Sequence, residues 1–116
     1  MNLTREKWER VVGICAQQNN GRVPMLAGTA DLSTAGTIEK SKCAESLGYD
    51  GFLIISHWYQ AHTMREVEAH FQTVRDATSK SMTLLSGPDL RRINRHISKL
   101  PKKNNTHKRI IKYREN

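Results

Sequence analysis

Apolar residues recur along this chain in two alternating rhythms. From Thr4 to Gln18, Trp8, Val11, Val12 and Cys15 return at three- and four-residue steps, which predicts a helix with those four side chains on its inward face. Thr4 suits the N-cap, Glu6 the first turn, and Asn19-Asn20-Gly21 ends the helix with residues that tolerate positive φ. Val23 to Ala27 is a short apolar run with Pro24 near its start, and it predicts a strand ending at Gly28-Thr29. A second helix is expected from Thr34 to Leu47, turning Ile38, Ser41, Ala44 and Leu47 inward, with Gly36 as a weak point and Gly48 just beyond its end.

Gly51 to Ile55 carries a continuous Phe-Leu-Ile-Ile run without polar alternation, the mark of a strand covered on both faces. Thr63-Met64-Arg65-Glu66 has the form of a capping box and opens a third helix striped by Val67, Phe71, Val74 and Ala77. Ser81 to Leu85 reads as a third strand. The order α-β-α-β-α-β predicts an α/β fold with a parallel sheet and right-handed crossovers. Beyond Leu85 the rhythm fades. Leu90, Ile93 and Ile97 fit one face of a short helix over Asp89 to Lys99, Pro101 stops it, and Lys102 to Asn116 is expected to lack stable structure.

Charge divides the chain at the same place. Up to Leu85, nine Lys and Arg face nine Asp and Glu; from Ser86 on, ten face two, so the whole excess of +8 lies in the last stretch. The chain therefore reads as one domain, 1–85, followed by a basic tail of different composition, 86–116. The tail has one aromatic, Tyr113, and no recognised nucleic-acid motif, so a nucleic-acid partner is not expected, although a basic nucleic-acid-associated protein is kept as an alternative. No apolar run reaches the roughly 18 residues of a membrane span. Met1-Asn2-Leu3-Thr4 leads straight into charged residues, and Cys15 and Cys43 read as reduced thiols, so the expected location is the cytoplasm.

Candidate chemistry is sparse. His57 and His62 have no Cys, Asp or Glu between them at ligand spacing, and no metal is expected. His70 and Phe71 sit on a helix face as packing residues. Gly28-Thr29 alone falls short of a phosphate-binding loop.

Five pieces in order carry a resemblance: Gly21 to Thr29 (Gly-Arg-Val-Pro-Met-Leu-Ala-Gly-Thr), Ser33-Thr34-Ala35, Ala44 to Gly51 with Leu53 to Ile55, Ser56-His57-Trp58-Tyr59, and Glu66 to Phe71. Together they resemble the dihydrodipicolinate synthase / N-acetylneuraminate lyase family over about Leu3 to Leu85. The resemblance implies a (β/α)8 barrel and class I aldolase chemistry on pyruvate or another 2-oxo acid, with no cofactor, in a homo-oligomer. At 116 residues the chain is too short for such a barrel, which needs about 250, so it corresponds to a partial barrel of about three strands and three helices.

Barrel chemistry sits at the carboxyl ends of the strands. The resemblance places Tyr59 at a proton-relay position and Gly28, Thr29, Ser56, His57 and Trp58 on the substrate rim. It also implies a Schiff-base lysine on the sixth strand, a Thr-Thr pair after the second and a Tyr-Asn-x-Pro motif after the fifth. Each lysine of this chain lies on a predicted helix, a turn or the tail; the Thr-Thr pair has no counterpart; and Leu85-Ser86-Gly87-Pro88 stands where the tyrosine motif is due. The expectation is therefore a truncated family member, inactive alone, with a non-catalytic piece that docks on an intact homologue as an alternative. Its open sheet edges and the partly covered Leu53 and Ile55 imply marginal stability or dependence on a partner. Resemblance and charge balance change together near Leu85, as a shift of reading frame there would produce; resequencing the coding DNA tests this.

Overall fold

The computed structural model describes residues 3–55 and 63–85. Its elements are α1 (Arg5–Asn19), β1 (Leu26–Gly28), α2 (Thr34–Ser46), β2 (Gly51–Ile55), α3 (Met64–Ala77) and β3 (Ser81–Leu85). The strands form one parallel sheet in the order β1-β2-β3. Gly28 pairs with Leu53, and Leu53 with Thr83. The expected α/β order is therefore realised, with three helices and three parallel strands as in part of a (β/α)8 barrel. The expected helix over Asp89–Lys99 lies outside the described residues.

Local chemistry sets the element ends. The Thr4 hydroxyl accepts from the Lys7 amide at the start of α1, and Asn20 (φ 45°) with Gly21 (φ 73°) closes it in the left-handed region. Thr63 and Glu66 complete the capping box of α3. Gly48 (φ 86°) turns the chain out of α2.

Strand alternation separates the two faces of the sheet. Ala27, Phe52, Ile54, Met82 and Leu84 join the core with Val12, Ala44, Val67, Phe71 and Val74 from the helices. The other face presents Leu26, Gly28, Gly51, Leu53, Ile55, Ser81 and Thr83. Phe52 and Ile54 are fully buried, whereas Leu53 and Ile55 are half-buried and Leu26 is 50% exposed. One side of the sheet is thus sealed by helices, and the other, which would line a barrel, is partly open.

Three expectations are corrected. α1 turns Trp8, Val12 and Ala16 inward, a strict four-residue stripe, while Val11 is 47% exposed and Cys15 lies on the surface. β1 begins at Leu26, not Val23, because Met25 is held at the sheet margin by Asp50: its amide donates to Asp50 Oδ2 at 2.8 Å and its carbonyl accepts from the Asp50 amide at 3.0 Å. α2 buries Thr37, Lys40, Ser41 and Ala44, while Ile38 is only half-buried and Leu47, at the C-cap, is exposed. Ser41 and Ala44 face inward as expected, and the two unexpected members, Thr37 and Lys40, are polar side chains with partners in the preceding loop, Ser33 and Asp31.

Candidate functional site

The carboxyl end of β1 is the part of the expected rim that falls among the described residues. Gly28 is exposed, and a Cβ built on it would meet nothing within 4 Å, so it borders open space. Thr29 follows directly but is fully buried. Its amide donates to Leu53 O at 3.1 Å, and its hydroxyl accepts from Ser41 Oγ at 2.9 Å. The Thr29 side chain therefore ties the strand end to α2 and does not face the rim. Ser56, His57, Trp58 and Tyr59 lie outside the described residues, as does His62.

Behind the rim stands a charged cluster. Trp8 Nε1 donates to Gly28 O at 3.1 Å. The Lys40 ammonium, on a residue only 7% exposed, lies 2.7 Å from Asp31 Oδ2, 3.4 Å from Ala30 O and 5.6 Å from the centre of the Trp8 ring. Arg5 lies 5.8 Å from the same ring and pairs with Glu9 and Glu39. Burial pushes the Asp31 carboxyl up, but Lys40 and the backbone amides of Leu32 and Ser33 outweigh it and hold the group below its ordinary range. Nearby, burial raises the Tyr49 phenol, whose hydroxyl donates to Val12 O at 2.9 Å.

His70 serves packing, as expected. It is buried against α2, with Nδ1 2.8 Å from Thr34 Oγ1 and its ring edge-on to Phe71 at 5.2 Å. Among the described residues no group of three or more metal-ligating side chains exists, Cys15 and Cys43 are free thiols, and no helix is long and apolar enough to cross a membrane.

The described lysines are Lys7 on α1, Lys40 and Lys42 on α2, and Lys80 before β3; none lies on a strand. Lys40 is the one buried among them, yet it reaches into the layer between α1 and α2, away from the open sheet face. The sequence reading missed Lys40, Asp31 and Trp8 as a unit. The available signal was a lysine at the i+3 position of a stripe, Thr37-Lys40-Ser41-Ala44, that otherwise holds small residues.

A parallel sheet with antiparallel helices on one face and an open opposite face is a segment of a (β/α)8 barrel wall. The sequence profile of the Dihydrodipicolinate synthetase family matches residues 1–102, and the chain belongs to that family. The matched span runs past Leu85 and includes part of the basic stretch. The 4-hydroxy-tetrahydrodipicolinate synthase of Pelobacter propionicus is 39% identical over 92 residues, covering 79% of this chain and 32% of that protein. Among solved structures, the chloride-inhibited dihydrodipicolinate synthase from Acinetobacter baumannii, complexed with pyruvate, superposes with a TM-score of 0.71 at 29% identity, over 75% of this chain and 30% of that one. The N-acetylneuraminate lyase of Mycoplasma synoviae gives 0.68 at 27% identity, over 71% of this chain and 28% of that one. The chain thus spans about a third of the length of the relatives it matches.

Proposed function

We propose that this chain supplies the third-to-fifth-strand portion of a lyase-family barrel and performs no carbon–carbon bond chemistry by itself. The observation that carries this reading is the position of the four lysines among the described residues. Imine formation with a 2-oxo acid requires an amine presented to the barrel interior in a desolvated pocket. Lys7, Lys42 and Lys80 are exposed on helices or a turn, and Lys40 is engaged by Asp31 in the helix layer. In a completed barrel the chemistry is imine formation with pyruvate or a related 2-oxo acid, followed by aldol addition or cleavage. This chain's part is then the rim at Gly28 and, in the segment after β2, Ser56, His57, Trp58 and the relay tyrosine Tyr59. A cytoplasmic location and assembly into a homo-oligomer belong to the same reading.

A chimera tests it. Residues 3–85 replace the matching segment of the Pelobacter propionicus synthase, and the purified protein is treated with pyruvate and borohydride. The reading expects a folded chimera that is trapped with pyruvate on the recipient's own lysine. A chimera with native-like circular dichroism that traps no pyruvate overturns it.

A further inference from the structure

The cluster behind the rim has a feature that ordinary packing does not require: Asp31 is held at both its carboxylate and its backbone amide, and α2 leaves space for it. Lys40 Nζ lies 2.7 Å from Oδ2. The Leu32 amide donates to Oδ1 at 2.7 Å. The Asp31 amide in turn donates to Thr37 Oγ1 at 3.2 Å. At Gly36 the helix leaves room for the carboxyl: a Cβ there would lie 2.7 Å from Asp31 Cγ and 2.8 Å from Oδ1. The glycine that weakens α2 as a helix is therefore the one that admits Asp31 to its surface. The partner ammonium then contacts α1 through the face of Trp8, whose indole nitrogen holds the last carbonyl of β1.

We propose that Lys40 is a positioning residue, a latch that fixes the rim segment 30–33 between α1 and α2 and holds the mouth of the strand end in one conformation. The inference does not depend on the lyase reading, since it rests on contacts within the described residues alone. Burying an ion pair gives little net stability, because desolvating both charges offsets most of their attraction. What such a pair does supply is geometry: one ammonium satisfied by a carboxylate, a carbonyl and an aromatic face has a single place to be. Breaking it releases the segment locally while the sheet remains intact.

Amide hydrogen exchange on the full chain reads this directly. Lys40→Met keeps the apolar stem and removes the charge. The expected result is faster exchange, by about tenfold or more, at the Asp31 and Leu32 amides, with Phe52 and Ile54 in β2 unchanged. Unchanged exchange at Asp31 and Leu32 overturns the proposal. So does an equal acceleration at Phe52 and Ile54, which would make Lys40 a general contributor to stability. Asp31→Asn keeps the shape of the side chain and gives the same readout if Lys40→Met does not fold; rim protection equal to the parent's in that variant is likewise incompatible with a latch.

Discussion

Leu26 and Gly51 stand side by side in register on adjacent parallel strands, and Leu26 Cδ2 comes within 2.8 Å of the place a Cβ on Gly51 would occupy. The carbonyl oxygen of Ser81 on β3 is equally close on the other side. A side chain at Gly51 would thus meet a neighbour on each adjacent strand. Gly51→Ala is expected to destabilise the chain by about 1–3 kcal/mol, because the β3 backbone cannot move aside without breaking the ladder. Urea unfolding measures it. Adding Leu26→Ala should recover part of the loss and not all, since Ser81 O remains; complete recovery would show that the side chain alone sets the limit.

Gly36 offers a test in which the sign itself is informative. In an ordinary helix interior, glycine to alanine stabilises by about 1 kcal/mol. Here the new methyl meets the Asp31 carboxyl and sits 3.0 Å from the N-cap hydroxyl of Ser33. Gly36→Ala is therefore expected to destabilise the chain and to accelerate exchange at Asp31 and Leu32. A stabilised variant with unchanged exchange contradicts the account of α2.

The Asp31 carboxyl makes stability depend on acid. Its value in the folded chain is held below the unfolded one, so its contribution is fully present above about pH 4 and is lost as the pH falls through the lower, folded value. Urea unfolding between pH 6 and pH 3 should show a steeper loss of stability in the parent than in Asp31→Asn. Parallel curves for the two proteins would show that Asp31 is not tied to Lys40 in solution.

Gly28 borders open space, so an added methyl has room. Gly28→Ala is expected to leave the stability of this chain within about 0.5 kcal/mol of the parent's. In the chimera with the Pelobacter propionicus synthase, where the proposed reading puts Gly28 on the substrate rim, Gly28→Ala should lower the apparent affinity for pyruvate while the fold is kept. A chimera carrying Gly28→Ala that binds pyruvate as the unsubstituted chimera does removes Gly28 from the rim.

How far the fold could be read in advance varied with the kind of signal. β2, β3 and α3 are bounded as expected, because Phe52 to Ile55 is an unbroken apolar run and Thr63 with Glu66 marks a helix start locally. The inward faces of α1 and α2 were harder. Val11 and Cys15 are apolar and fit the helical period, yet they lie outside the stripe that meets the sheet. Lys40 and Thr37 are polar and buried because their partners, Asp31 and Ser33, come from the preceding loop, and periodicity does not register such pairing. Thr29 was placed at the strand end correctly, but the direction of its hydroxyl depends on Ser41, twelve residues on. The family could be recognised because its motifs are short and contiguous, such as Gly21 to Thr29. The larger part of the expected rim, Ser56 to Tyr59, lies outside the described residues.

On the proposed reading, this chain of the dihydrodipicolinate synthetase family, spanning about a third of its relatives, supplies part of the barrel wall, and none of its four described lysines is the amine that reacts. Incubating the purified chain with pyruvate and borohydride, followed by intact-mass and peptide mapping, tests it most directly. The account predicts no pyruvate-derived mass increase at any lysine, under conditions in which the Pelobacter propionicus synthase is fully trapped. A stable adduct on a lysine of this chain, Lys40 above all, would contradict it.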